Sequence, residues 1–431
     1  MTFKRREFLP CFCVSLCLLL AACPGDREVL RAEGDAQDGG SGPVAEPDGG
    51  GLDGGAPDAG PSDKARAAAA GKGSPNAPDP AILGPYPVGV ATGRVSYFYD
   101  DGKKGEQRDI PVEIWYPADD AAAGMEKESL DLRNLAPAWL LEKVTLEMDP
   151  IPTDAVRDAT VRRLGEAFPL VVFSHGAGGI RQQSVFFTVV LASHGFVVAS
   201  PDHVGGTAWD LVDPKNKDKE FGALMAESMP KRLEDFAVVT DWMLKRNEDS
   251  EDLFFGVIEP KKVGAAGHSF GAFTAVAAAA NRRFQAVVPM APPSNPYEAE
   301  SLARFPPVMI HGATKDKTMA YEQQKLLYDH VDPDKYLVGL KDGGHFSYTD
   351  LCSLPIADIA AVFDLNVESY MSDGCGEENI PAQEAHRLTN KFSVAFLAAY
   401  LRGSRAMYEA HLTSAAAALE PNVEFKSEEE F

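Results

Sequence analysis

The sequence runs to 431 residues, with 64 acidic side chains against 41 basic ones and a formal net charge of −23. Nucleic-acid binding needs clustered Lys and Arg, so this balance excludes a nucleic-acid partner, and the acidity reads as solubility. Length alone would admit two or three domains, but a long early stretch that cannot fold reduces the expectation to one large domain.

In chain order, Lys4, Arg5 and Arg6 precede an apolar run from Phe8 to Ala22, the layout of a secretory signal peptide too short to span a bilayer. Residues 1–22 are therefore expected to be removed. The run ends Leu20-Ala21-Ala22-Cys23, which is similar to the lipobox of bacterial lipoproteins and makes Cys23 the expected lipidation site; a plain cleaved signal is the alternative. The string from Arg5 to Leu9 is also similar to a twin-arginine export motif. Residues 23–80 are dominated by Gly, Ala, Asp and Pro and offer little to bury, so they read as a disordered tether. As a flexible coil such a tether spans roughly 40 Å. The lipid anchor implies membrane attachment, on the outer-membrane or cell-surface side of an exporting bacterium.

From residue 81 to 405 the texture is that of a folded domain. Eight runs read as strands: 94–99, 111–116, 170–174, 196–201, 263–267, 286–290, 308–311 and 336–340. From the third onward they are near-continuous apolar runs, as in parallel strands covered on both faces. Helices are expected at 182–193, 231–246, 271–282, 320–331 and 383–401, giving an α/β fold with a mostly parallel eight-stranded sheet flanked by helices. Insertions at about 119–167 and 204–230 both leave from the edge of the sheet where active sites form and are candidate lids or pocket walls. Residues 406–431 read as a solvated acidic tail. Of the six cysteines, only Cys352 and Cys375 lie in the folded part, where one disulfide is expected; a metal pair and two free thiols remain the alternatives.

The strongest chemical signal is Gly267-His268-Ser269-Phe270-Gly271, a G-x-S-x-G between a strand and a small-residue helix. That is the setting of a nucleophile elbow, where a sharp turn exposes the serine hydroxyl. A serine needs a base, and His345, in DGGHFS after the last strand, is placed for it. The imidazole needs a carboxylate to fix its tautomer. Asp316, in GATKDKT after the seventh strand, gives the chain order Ser, Asp, His; Glu298 is a second choice. Backbone N–H groups of Ala177, in FSHGAGG, and of Phe270 would form the oxyanion hole. No H-E-x-x-H, paired C-x-x-C or Gly-rich phosphate loop occurs, so neither a catalytic metal nor a cofactor is expected.

With these residues placed, the sequence resembles the plasma-type platelet-activating-factor acetylhydrolase family within the α/β-hydrolase superfamily. The resemblance lies in FPLVVFSHGAGGIRQQSVFFTVVLASHGFVVASPDH, in GHSFG, in GPYPVG near Gly84 and in PVEIWYPA near Trp115. It implies hydrolysis of short or oxidised acyl groups from phospholipid-like esters, with Ser269, Phe270, Ala177 and His345 on matching positions. One departure is Ala291, where that family carries its acid after the sixth strand. IHGATKDKT and DGGHFS are similar instead to bacterial cutinases and polyester hydrolases of the dienelactone-hydrolase type, whose acid matches Asp316; their aromatic residue beside the oxyanion hole is replaced by Ala177. The stretch from GHFSYTDLC to DGCGE resembles exported hydrolases related to both. The expected activity is serine-dependent hydrolysis of a small-molecule or lipid ester. Cutinase-like or lipase-like action on polyesters or triglycerides, and a binding lipoprotein without activity, are the alternatives.

Overall fold

The computed structural model describes residues 77–431 apart from 103, 143–148, 164, 166, 281–282, 294–301, 303, 333, 355–371 and 430. The expected signal peptide, the lipidation site Cys23 and most of the tether therefore lie outside the described residues, as does Glu298. The described residues begin at Ala77, four positions before the expected start of the folded domain, and Ala77 is buried.

Twelve strands are present among the described residues: β1 (Val88–Tyr99), β2 (Glu106–Pro117), β3 (Ser129–Leu130), β4 (Ile151–Pro152), β5 (Ala155–Arg157), β6 (Phe168–Ser174), β7 (Val197–Pro201), β8 (Ile258–His268), β9 (Ala286–Met290), β10 (Val308–Ala313), β11 (Lys335–Leu340) and β12 (Val423–Glu428). The helices are α1 (Ala138–Leu141), α2 (Val185–Ser193), α3 (Ala208–Leu211), α4 (Phe221–Arg246), α5 (Phe270–Ala279), α6 (Tyr321–His330), α7 (Ala382–Arg402), α8 (Arg405–His411) and α9 (Ser414–Ala417). Ten strands form one sheet in the order β12-β11-β10-β9-β8-β6-β7-β2-β1-β5, and β3 pairs with β4 apart from it. From β7 to β11 the strands are parallel, while β2 and β12 join antiparallel.

All eight expected strands are present, and the sheet is wider than eight because both edges are extended. The alternation along β6 shows how the layers form. Leu170 and Val172 face one core with Phe236, Val239 and Phe273 of α4 and α5. Val171 and Phe173 face the other with Phe187 and Leu191 of α2 and Phe392 and Phe396 of α7. A central strand that serves two cores is apolar at every position, which is why these strands read as unbroken runs.

Three expectations need correction. The acidic tail is not solvated chain: α8, α9 and β12 follow α7, and β12 pairs with β11 from Leu340↔Val423 to Lys335↔Glu428. Its strand alternates Val423, Phe425 and Ser427 with charged residues, which suits an edge strand with one wet face. Next, α4 begins at Phe221 and runs through Pro230. The helix is expected only from 231, but Leu224, Met225 and Met229 are buried on the turns before Pro230, and their burial carries the helix across a site that costs it one backbone bond. Finally, residues 119–167 do not leave from the active-site edge. Because β2 is antiparallel to β7, with Val112 opposite Pro201 and Trp115 opposite Val198, its end at Pro117 lies at the amino ends of the parallel strands. That insertion returns as β5, which pairs with β1 and extends the far sheet edge.

Candidate active site

The chain order reverses at β6: β7 lies on one side of it and β8 on the other. In open α/β sheets the carboxyl ends of the strands at such a switch form a crevice. Ser269 sits there, at the junction of β8 and α5, with φ 56° and ψ −118°. That backbone is strained for a residue with a side chain and turns the hydroxyl away from the sheet. The flanking glycines follow from crowding. A Cβ on Gly271 would overlap the Ser174 carbonyl, and one on Gly267 would overlap the Gly271 carbonyl.

The three side chains singled out from the sequence meet. Ser269 Oγ lies 2.9 Å from His345 Nε2, and His345 Nδ1 lies 2.9 Å from Asp316 Oδ2. Asp316 Oδ1 accepts the N–H groups of Thr318 at 2.9 Å and Met319 at 2.6 Å, and Oδ2 also accepts Gln324 Nε2 at 2.7 Å. A carboxylate so fully bonded is fixed in place, and it requires the proton of His345 to sit on Nδ1, leaving Nε2 to receive the serine proton. Burial pushes the imidazole pKa down, but the charge and hydrogen bond of Asp316, with the charge of Asp373, hold it above the ordinary histidine value.

The expected oxyanion residues border the same crevice. Ala177 lies in the loop after β6, whose last residue Ser174 pairs with Gly267, and Phe270 opens α5. Residues 204–230, unlike the earlier insertion, do border the site. Gly178 N–H donates to Gly206, Ala208 N–H donates to Gly179, and Leu211 and Phe221 close over Gly178.

Residues 78–224 match the family model for platelet-activating factor acetylhydrolase, isoform II, and residues 158–340 match that of the dienelactone hydrolase family. Curated relatives include the platelet-activating factor acetylhydrolase of Cavia porcellus, 23% identical over 74% of this chain and 77% of that one. That of Canis lupus familiaris is 23% identical over 67% of this chain and 68% of its own. A ferulic acid esterase from Streptomyces cinnamoneus superposes with a TM-score of 0.55 at 22% identity, covering 79% of this chain and 97% of that one. The chain is a carboxylic ester hydrolase of the α/β-hydrolase fold.

Behind the three residues, the hydrolase carries a buried polar frame that motif reasoning did not find. Gly176 N–H donates to Gln183 Oε1 at 2.8 Å, so Gln183 Nε2 is the donor to His268 Nδ1 at 3.1 Å, and His268 Nε2–H donates to the His345 carbonyl at 2.9 Å. This directional chain ties the oxyanion loop to the base. His268 stays neutral within it, since burial and then the neighbouring His345 charge push its pKa well down. Asp373 ties the base to the acid. Its Oδ1 accepts His345 N–H at 2.9 Å and Lys317 N–H at 3.0 Å, and its Oδ2 accepts the Thr318 hydroxyl at 2.8 Å. Cys375, two residues on, is joined to Cys352 in the expected disulfide. The other strand-end histidines serve as struts. His203 Nδ1 pairs with Asp235 at 3.2 Å and its Nε2 with Ser174 Oγ at 2.9 Å. His175 Nε2 accepts the His203 N–H at 3.1 Å, and His311 Nε2 meets Ser393 Oγ at 2.8 Å. Ala291, after β9, is buried and offers no carboxylate.

Proposed function

We propose that the hydrolase works by two-step acyl transfer. Ser269 Oγ attacks an ester carbonyl while its proton passes to His345 Nε2, and the N–H groups of Ala177 and Phe270 receive the charge that develops on the carbonyl oxygen. His345 returns the proton to the leaving alcohol, water takes the alcohol's place, and a second round of the same steps frees the acid. Asp316 holds the tautomer and balances the imidazolium. The observation that supports this best is the unbroken hydrogen-bonded line from Ser269 through His345 to Asp316 at a strained strand-to-helix turn.

For substrate we infer short-acyl or oxidised phospholipid-like esters, on the strength of the acetylhydrolase relatives. The position of the acid after β10 favours a second reading, a polyester or triglyceride substrate of the cutinase type. We also infer that the chain is exported and anchored to a membrane through lipid on Cys23, as its leading residues suggest. The test compares the full chain with Ser269→Ala on a short nitrophenyl ester. A loss of about 10⁴-fold or more is expected, and equal rates would remove the reading. A panel of oxidised phospholipid, triglyceride and polyester then ranks substrates, and Cys23→Ser should move the protein from the membrane to the soluble fraction.

A further inference from the structure

Beneath the oxyanion loop lies a cluster of charges to which the acyl-transfer scheme gives no task. Arg108 and Asp235 form a two-pronged pair, Nε to Oδ1 and Nη2 to Oδ2, both at 2.8 Å. Asp235 also accepts the Tyr97 hydroxyl at 2.7 Å and His203 Nδ1 at 3.2 Å. Its hydrogen bonds thus go to Arg108, Tyr97 and His203, and none goes to Arg232.

Arg232 is 1% exposed, and none of its hydrogen bonds goes to a carboxylate. Nε donates to Thr274 Oγ1 at 3.2 Å, and Nη2 donates to the His175 carbonyl and to Ser174 Oγ at 3.3 Å. Nη1 has no hydrogen-bond partner among the described residues. The guanidinium carbon stands 4.7 Å from the centre of the Phe270 ring. Burial pushes this guanidinium down to about 9, which leaves it charged at neutral pH. His175 and His203 are held neutral, first by burial and then by the Arg232 charge. Arg108 Nη1 also pairs with the half-buried Glu106 at 3.0 Å, which Lys231 meets at 2.8 Å, so the cluster holds three cations against two carboxylates, and the Asp235 charge, which also acts on Arg232, is shared with Arg108.

A buried cation without a full counter-charge costs stability in the resting protein. The proposed reaction creates an anion in the right neighbourhood, because Arg232 touches the carbonyl two residues before Ala177 and the ring of Phe270, the two residues whose N–H groups face the oxyanion. We propose that Arg232 is a positioning residue for the oxyanion hole: it orients the loop through the His175 carbonyl and supplies the fixed positive charge behind the developing oxyanion. This rests on the acyl-transfer reading. Fixed charge in a poorly solvated setting acts strongly and needs no reorganisation when the transition state forms.

The test uses the full chain and three versions: wild type, Arg232→Met and Arg232→Lys. The readouts are kcat and KM on a short nitrophenyl ester and the affinity for phenylboronic acid. In that adduct a bond forms from Ser269 Oγ to boron, the serine proton passes to His345, and boron becomes a tetrahedral anion. Arg232→Met should lower kcat by 10- to 100-fold with KM within threefold, and weaken the boronate by the same factor as kcat. Arg232→Lys, which keeps the charge, should recover a large part of both losses. A kcat within threefold of wild type in Arg232→Met, a kcat loss without a matching boronate loss, or a lysine variant as impaired as the methionine variant would each overturn the inference. Should Arg232→Met not fold, Arg232→Lys decides alone: boronate affinity within fivefold of wild type supports the proposal, and a greater loss overturns it. A wild type without Ser269-dependent hydrolysis removes the acyl-transfer reading and this inference with it, whereas an active wild type with an indifferent Arg232→Met removes the inference only.

Discussion

Asp373 offers a perturbation in which charge and hydrogen bonding separate. Its two oxygens serve three donors, the N–H groups of His345 and Lys317 and the Thr318 hydroxyl, and the residue is buried. In Asp373→Asn the amide oxygen keeps both N–H groups while the amide NH₂ turns to Thr318, whose hydroxyl accepts as readily as it donates. The substitution therefore removes the charge and leaves the geometry, for a cost of about 1 kcal/mol as charge-assisted bonds become neutral ones. Asp373→Ala leaves the buried His345 N–H unpaired, at about 1–3 kcal/mol, and also removes the part-buried bond of the Lys317 N–H, at about 1 kcal/mol, against an overall stability of about 5–15 kcal/mol. Urea denaturation separates these outcomes. The pH–rate profile separates the charge. Hydrolysis requires neutral His345, so the acid limb of kcat/KM follows its pKa. Asp373 is among the charges that raise that pKa, so Asp373→Asn should move the limb to lower pH with the plateau rate little changed. Equal destabilisation by Asn and Ala, or an acid limb that stays put in Asp373→Asn, would refute the assignment of Asp373 as the tie between base and acid.

Gln183→Leu should break the chain from Gly176 to His268, lowering kcat about tenfold with KM unchanged, whereas Gln182→Leu one position away should preserve it; steady-state kinetics of both variants checks this. Reducing the Cys352–Cys375 disulfide opens a loop with a sequence separation of 23, which in the chain-entropy model costs about 3 kcal/mol. Thermal stability and kcat should fall together under reductant and return on reoxidation. Acid stability follows from the buried histidines. Burial pushes His194, His203 and His386 down to about 4 and His311 to about 3. Their folded values lie below the unfolded ones, so their stabilisation is complete above about pH 6.5 and is lost as pH falls toward 4. Asp350, which burial pushes up to about 7, acts oppositely, its folded form holding a proton that the unfolded chain releases. His175 and His268, also held neutral well below the ordinary histidine value, add to these four, so with the Asp350 offset unfolding at pH 5 should take up about five protons, each worth about 1.4 kcal/mol per pH unit; a melting temperature flat between pH 6.5 and 4.5 would contradict it.

What the sequence made legible is what repeats or crowds. Strands such as 170–174 and 286–290 carry apolar side chains at every position because two cores claim them, and that density survives in one dimension. Ser269 was legible because the elbow excludes side chains at Gly267 and Gly271, which leaves a fixed spacing. His345 and Asp316 were legible by chain order and by their place after late strands. The frame around them was not, because it is built from pairings with no spacing rule. Asp373 reaches His345 across 28 residues, and Gln183 reaches His268 across 85. Arg232 left a trace: it stands four residues before Phe236, on the apolar stripe of α4, where a charged residue has to find buried partners or forgo them. Reading the helix as starting at Lys231 placed Arg232 in a first turn exposed to water and concealed that trace. The edge strand β12 was missed for a related reason. Six residues with a charged alternate position resemble solvated tail until the partner strand is known, and only the antiparallel register with β11 turns Val423 and Phe425 inward. Motifs thus locate the atoms that react, while the charge distribution that makes them react is set by long-range pairs, so substitutions at Asp373, Gln183 and Arg232 test the site more severely than further changes at Ser269.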